Sequence, residues 1–116
     1  MPNPVVHFEV LGKDAQALQR FYGEAFGWQM QDVMDGSYFM ADTGVENAVP
    51  GGVGASPGPE DMVTFYIEVD DLGEALEKIS QLGGTTIREP VDIPNGPTIA
   101  LFGDPEGHVI GLVKSD

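Results

Sequence analysis

The chain has 116 residues, 41% of them hydrophobic, which is the length and composition of one ordinary globular domain. Its 19 acidic and 5 basic residues give a net charge of −14, which disfavours nucleic acids and anionic membranes as partners. The absence of cysteine excludes disulfides and thiolate metal sites, and a start without signal-peptide features leads us to expect a cytoplasmic protein.

The first half of the sequence predicts one helix and four strands. Asp14 is a typical N-cap for a helix with apolar residues at helical spacing, and Gly27 is a typical stop. Asp35 and Gly36 predict a tight turn between two strands. The predicted strands of this half, read from alternation and turn residues, are 5–11, 28–33, 37–41 and 48–53.

The second half repeats this order after a stretch rich in glycine and proline. Asp71 and Glu74 form a capping box at the start of a second predicted helix, which ends at the glycine pair 83–84. The predicted strands are 62–69, 85–91, 98–102 and 108–113.

The two halves are related by a shift of about 57 residues, which brings Asp14 onto Asp71 and Gly27 onto Gly84. One such unit cannot bury its sheet alone. We therefore predict an α+β fold of two β-α-β-β-β modules that form one curved mixed sheet, with the helices on the convex face and a pocket on the concave face. Residues 1–116 form one domain in this interpretation, with module one at 1–54, a linker at 55–61 and module two at 62–116.

Several stretches carry a resemblance to a known family. They are His7-Phe8-Glu9-Val10, Phe26-Gly27-Trp28, Leu82-Gly83-Gly84 and Asp104-Pro105-Glu106-Gly107-His108. They resemble the paired modules of the vicinal oxygen chelate superfamily, which includes glyoxalase I, extradiol dioxygenases and bleomycin-resistance proteins. The resemblance covers almost the whole chain and implies the fold, but not one reaction.

The resemblance also implies where a divalent metal would be held, on the first and last strands of each module. His7 stands at the first of these positions and Thr64 at its counterpart, while Gly51, to within one residue, and Gly111 stand at the other two. Only His7 has a suitable side chain, whereas catalytic sites usually need three protein ligands. We therefore expect no cofactor, and a divalent metal is disfavoured.

Strand alternation places His7 and Glu9 on one side of the first strand, together with Thr64, Tyr66 and Glu68 of the paired strand. His7 and Glu9 are the candidate catalytic pair, as general acid and base or as residual metal ligands. In the alternative interpretation His7 is held by a hydrogen bond to Tyr66 or Glu9 and has only a structural role.

A small organic ligand also needs apolar surface. The predicted ligand-binding residues are Thr64, Tyr66, Glu68, Trp28, Tyr38, Met40, Phe102 and Gly111. The aromatic and apolar members of this set could instead fill the sheet interior.

Two functional hypotheses follow. In the first, the protein binds a small neutral or cationic organic molecule without chemistry, as bleomycin-resistance proteins do. In the second, it is a glyoxalase-like lyase or isomerase, or has a related dioxygenase-superfamily activity, that uses His7 and Glu9. The scarcity of basic residues disfavours glutathione conjugates and phosphonates. The resemblance further implies a homodimer.

Overall fold

The computed structural model describes residues 2–116, which contain two helices and eight strands. The helices are α1 (Ala15–Phe26) and α2 (Leu72–Gln81). The strands are β1 (Val5–Gly12), β2 (Gln29–Asp32), β3 (Tyr38–Asp42), β4 (Gly51–Ala55), β5 (Met62–Val69), β6 (Thr85–Asp92), β7 (Thr98–Gly103) and β8 (Val109–Lys114). The predicted α+β class and the β-α-β-β-β order of each half are confirmed.

Both helices begin at the predicted caps. The Asp14 carboxylate accepts a hydrogen bond from the backbone N–H of Ala17 at 3.0 Å, and the Asp71 carboxylate accepts one from Glu74 at 2.9 Å. Helix α1 ends at Gly27, whose φ of 74° is the left-handed conformation that glycine adopts without strain. Within residues 2–116, neither helix has the length and apolar character that a membrane span requires.

Strand β4 begins at Gly51, three residues later than predicted. The preceding residues form a turn instead, because Ala48 donates its N–H to the carbonyl of Val45 at 3.2 Å and Asn47 has a φ of 66°. Pro50 then lacks the N–H that a strand would use. These features shorten the strand that was predicted over 48–53.

The described chain divides into two compact units. The first unit is His7–Thr64, and the second is residues 2–6 together with Phe65–Asp116. Within the first unit the strands lie in the order β2-β3-β4-β1, with β1 and β4 parallel and the other pairs antiparallel. The second unit has the corresponding order β6-β7-β8-β5, with β5 and β8 parallel. The internal repeat in the sequence is therefore a repeat of strand topology.

In the second unit, helix α2 packs on one face of the sheet. Leu72 and Leu76 of the helix are each 5% exposed and contact Ala100 and Leu112 of the strands. Phe102 packs against the same cluster. Burial of this apolar surface is the main stabilising contribution, at about 25 cal/mol per Å².

In the first unit, an aromatic cluster joins α1 to the sheet. The ring of Trp28 lies 5.3 Å from that of Phe8 and stacks on Tyr22 at 5.5 Å with an angle of 9° between planes. On the same side of β1, a side chain at Gly12 would meet Leu18 of α1. The residues of β1 that alternate with Phe8 face the other way.

Candidate functional site

The face of the first unit's sheet opposite α1 carries His7, Glu9, Tyr38 and Met40, and we call it the His7 face. Alternation along β1 and β3 places these side chains together, with β4 between the two strands. Tyr38 reaches across β4 to β1. Tyr38 and Met40, two of the predicted ligand-binding residues, therefore share this face with the candidate pair His7 and Glu9.

One hydroxyl joins the two residues of the candidate catalytic pair. Tyr38 Oη donates to Glu9 Oε2 at 2.8 Å and lies 3.2 Å from His7 Nε2. A phenol has a single proton, so when that proton points to Glu9 the imidazole must donate from Nε2. The result is a chain of hydrogen bonds from His7 through Tyr38 to Glu9.

Burial affects both ends of this chain of hydrogen bonds. Desolvation lowers the pKa of His7 below its usual value, which favours the neutral ring near pH 7. Glu9 is only 9% exposed. A buried carboxyl group needs hydrogen bonds to offset the loss of water, and the Tyr38 hydroxyl supplies one of them.

The glycines of β4 make room for this arrangement. A side chain at Gly52 would overlap the hydroxyl and ring of Tyr38, and one at Gly54 would lie 2.5 Å from Tyr38 Cδ1. On the opposite face, a side chain at Gly51 would overlap the ring of Phe8. The protein's own aromatic rings therefore lie close to the glycine run Gly51-Gly52-Val53-Gly54 on both faces of β4.

The strand register identifies the last-strand position of the first module as Gly52. In the second unit, Tyr66 is paired with Gly111. The repeat relates Tyr66 to Glu9, and Glu9 is paired with Gly52. Gly52 lies within the one-residue range given for this position, whereas Gly51 itself faces the helix side, against Phe8. In both modules a tyrosine ring covers the glycine, since a side chain at Gly111 would overlap Tyr66.

These residues do not fit a divalent metal held in the manner of the family. The space for a ligand side chain at Gly52 is occupied by Tyr38, and the space at Gly111 by Tyr66. Within residues 2–116 no group of three or more His, Asp or Glu side chains is arranged to hold a metal ion. Three protein ligands are the usual number at a catalytic zinc site.

The second unit places its predicted residues on two different faces. Tyr66, Glu68 and Gly111 share the face opposite α2, because the register pairs Tyr66 with Gly111 and Glu68 with Val113. Phe102, which was predicted to bind a ligand, lies on the helix side against the core and is not on the open face. Leu101, which is paired with Gly111 and was not predicted, takes its place on the open face.

Two further predicted residues have clear positions in the first unit. Thr64 is buried, with 6% of its surface exposed, at the end of that unit. Trp28 belongs to the aromatic cluster on the helix side, so it does not share a face with His7. Its large apolar ring suggested a ligand contact, whereas its actual partners are Phe8 and Tyr22.

A depression of about 340 Å³, which we call the outer groove, lies along β2 and β3. Its lining includes Gln29, Gln31, Met40, Asp42 and Pro50. Among these residues, only Met40 was predicted to contact a ligand. In the sequence, Gln29 and Gln31 are two residues apart, as are Met40 and Asp42, so each pair is predicted to share a face of its strand. The sequence does not show which residues of the two strands lie opposite each other.

Comparison with known proteins gives a consistent family relationship. A family model described as the Glyoxalase/Bleomycin resistance protein/Dioxygenase superfamily matches residues 5–112. A glyoxylase-like domain-containing protein of Didymella fabae is 28% identical over 109 residues, covering 86% of this chain and 84% of that protein. CFP32 of Mycobacterium tuberculosis, named as a glyoxylase, is 30% identical over 110 residues. The match covers 89% of this chain, and this chain spans only 42% of the length of CFP32.

Solved structures share the fold. Methylmalonyl-CoA epimerase from Mycobacterium tuberculosis superposes with a TM-score of 0.71 over 97% of this chain and 87% of its own, at 14% sequence identity. Identity at this level indicates a common architecture and leaves the reaction open.

Proposed function

Since this chain belongs to the glyoxalase/bleomycin resistance protein/dioxygenase superfamily, we propose that it binds a small neutral or cationic organic molecule on the His7 face, without a divalent metal. The resemblance found in the sequence is confirmed by this membership. The observation that carries the proposal is the position of Tyr38, which covers Gly52 and donates to Glu9. A tyrosine in that position leaves a polar and aromatic surface where the family would place a metal ligand.

The surface supports an uncharged or positively charged ligand. The sequence of the first unit, 7–64, contains nine Asp or Glu residues and two basic residues, Lys13 and Arg20. Lys13 lies 3.6 Å from Asp61, and Arg20 lies on α1. A glutathione conjugate or a coenzyme A ester carries carboxylates or phosphates that require cationic contacts. The first unit therefore favours other ligand classes, although the solved structures that share the fold include a methylmalonyl-CoA epimerase in complex with methylmalonyl-CoA.

A second candidate function, a glyoxalase-like lyase or isomerase, is favoured by the hydrogen-bond chain itself. A neutral imidazole can accept a proton from a substrate, and the lowered pKa of His7 favours that form. Tyr38 and Glu9 would hold the ring and stabilise the positive charge that it gains. Proton transfer of this kind would use His7 and Glu9 as acid and base.

Binding and metal content test the proposal together. The protein, purified without chelator, would be screened by NMR against a library of small neutral, cationic and anionic compounds, and its metal content would be measured by elemental analysis. We expect saturable shifts at His7 and Met40 with neutral or cationic compounds, and less than stoichiometric divalent metal. A stoichiometric metal, or no shifts on the His7 face with any compound, would contradict the proposal.

Variants separate binding from catalysis. His7→Ala should weaken binding in the first hypothesis, and should abolish turnover of an α-oxoaldehyde or a related substrate in the second. His108→Ala is the matched control, because His108 lies in the second unit and contacts Asp104 at 2.9 Å. Turnover that survives His7→Ala would exclude the acid–base role.

A homodimer is also part of the proposal. Phe21 and Phe26 of α1 are 60% and 62% exposed, and exposed aromatic side chains are enriched where proteins associate. Light scattering on the purified protein decides this, since a mass equal to that of one chain, 12.4 kDa, would contradict it.

A further inference from the structure

The outer groove lies on the same face of the first unit as the hydrogen-bond chain. Gln31 is paired with Met40 and Gln29 with Asp42 in the antiparallel ladder of β2 and β3. Directly paired residues project on one side of a sheet, and Met40 projects on the same side as Tyr38. The groove is therefore an outward continuation of the His7 face.

Its polar side chains are available to a ligand. Asp42 accepts one hydrogen bond, from the backbone N–H of Gly44 to Oδ1 at 2.8 Å. Among residues 2–116, the Asp42 Oδ2 atom and the side-chain amides of Gln29 and Gln31 make no hydrogen bond with the protein. One carboxylate oxygen and two amides thus line a depression of about 340 Å³, a volume within the range of small-molecule sites.

The apolar part of the lining consists of Met30, Met40, Ala41 and Pro50. Met40 is half-buried, and Pro50 lies at the rim next to the start of β4. A thioether is polarizable and contacts aromatic rings favourably. The groove therefore presents an apolar patch beside one carboxylate.

We infer that the outer groove binds the positively charged end of the ligand. An ammonium group would contact Asp42 and the amide oxygens of Gln29 and Gln31, and the adjoining apolar part would lie on Met40 toward Tyr38. This inference rests on the proposed function, because it assigns a ligand class to an extension of the same face. The contact with the Asp42 carboxylate would favour cationic over neutral molecules.

Matched probes test the charge. The probes are 2-phenylethylamine, which is cationic at pH 7, and its N-acetyl derivative, which keeps the ring and loses the charge. Titration into protein labelled at the methionine methyl groups and side-chain amides would follow Met40, Gln29 and Gln31. We expect the amine to shift these signals and to bind at least about threefold more tightly than the N-acetyl derivative. The difference should shrink as salt is added.

Matched variants test the site. Asp42→Asn should weaken binding of the amine by about three- to tenfold. Asp35→Asn removes the same charge from the turn at the other end of the β2–β3 hairpin, where Asp35 has a φ of 49° that asparagine tolerates. It should change the affinity by less than about twofold.

Each contrary outcome has a distinct meaning. Equal binding of the two probes in the groove overturns the cationic assignment and leaves the proposed function intact. Equal loss in Asp42→Asn and Asp35→Asn overturns it also, because the attraction is then a property of the whole acidic surface. No shift in the groove with either probe overturns the inference, and the library screen on the His7 face then decides whether the proposed function is lost as well.

Discussion

The ring of Tyr38 lies over Gly52, in the space that any other residue at position 52 would fill with its side chain. Glycine within a strand costs about 0.5–1 kcal/mol relative to alanine, because it loses more conformational freedom on folding. Here that cost is offset by the position it gives to the Tyr38 hydroxyl, 2.8 Å from Glu9 and 3.2 Å from His7. The glycine and the tyrosine thus act as one structural pair.

Replacing this glycine tests the pair. We expect Gly52→Ala to lower the free energy of unfolding by about 1–3 kcal/mol or more, because the new methyl group overlaps the Tyr38 ring. Urea unfolding followed by circular dichroism would measure it. Gly58→Ala is the control, since a side chain at Gly58 has nothing within 4 Å and the residue precedes β5. A change of less than about 0.5 kcal/mol is expected there.

A double-mutant cycle identifies the cause of the Gly52→Ala effect. Tyr38→Ala removes the ring, so adding Gly52→Ala to it should cost much less than Gly52→Ala alone. Additive effects of the two substitutions would show that the alanine at position 52 destabilises the protein by some route other than overlap with Tyr38.

The Tyr38 hydroxyl can be removed without its ring. Tyr38→Phe should lower the free energy of unfolding by about 1–3 kcal/mol, because Glu9 is buried and loses a hydrogen bond. The imidazole signals of His7 should shift in the NMR spectrum. Tyr22→Phe is the control, because no hydrogen bond to the Tyr22 hydroxyl is made within residues 2–116. Equal losses in the two variants would contradict a role for the Tyr38 hydroxyl.

His7 should make the stability depend on pH. Burial lowers its pKa in the folded state, whereas the unfolded chain has a pKa near 6.5. Between these two values the unfolded state binds more protons, so the free energy of unfolding falls as the pH is lowered below about 6.5. The drop ends once the pH is below the folded pKa.

Urea unfolding between pH 7.5 and 5 would measure this dependence. We expect His7→Gln to reduce the loss of stability across that range. If His7→Gln has the same pH profile as the unsubstituted protein, the imidazole is not the group that is protonated on unfolding.

The sequence was sufficient for the order of helices and strands in each half and for part of the site. Helix caps such as Asp14 and Asp71 act locally, so their effects could be predicted without knowledge of tertiary contacts. The face of a strand depends on register with its neighbour, which short-range patterns do not encode. Phe102 was therefore assigned to the pocket, although its partners are the α2 core.

The contact between Tyr38 and His7 was beyond prediction for a related reason. These two residues are 31 positions apart, and they meet only because β4 lies between their strands and carries glycine where the tyrosine crosses. The glycine run was visible in the sequence. The ring that fills it could be identified only once the order β3-β4-β1 was known.

The position of Phe102 gives a test that separates packing from ligand binding. Phe102→Ala should lower the free energy of unfolding by about 2–4 kcal/mol, because the ring packs against the cluster that includes Leu76 and Ala100. The affinity for a ligand of the His7 face should stay within about twofold of that of the unsubstituted protein, measured at a temperature where the variant is folded. Ile87→Ala, at a side chain that is 53% exposed on β6, should cost less than about 1 kcal/mol. Loss of ligand affinity in Phe102→Ala with little loss of stability would place Phe102 in the binding surface, because a residue that acts only through core packing changes affinity by changing stability.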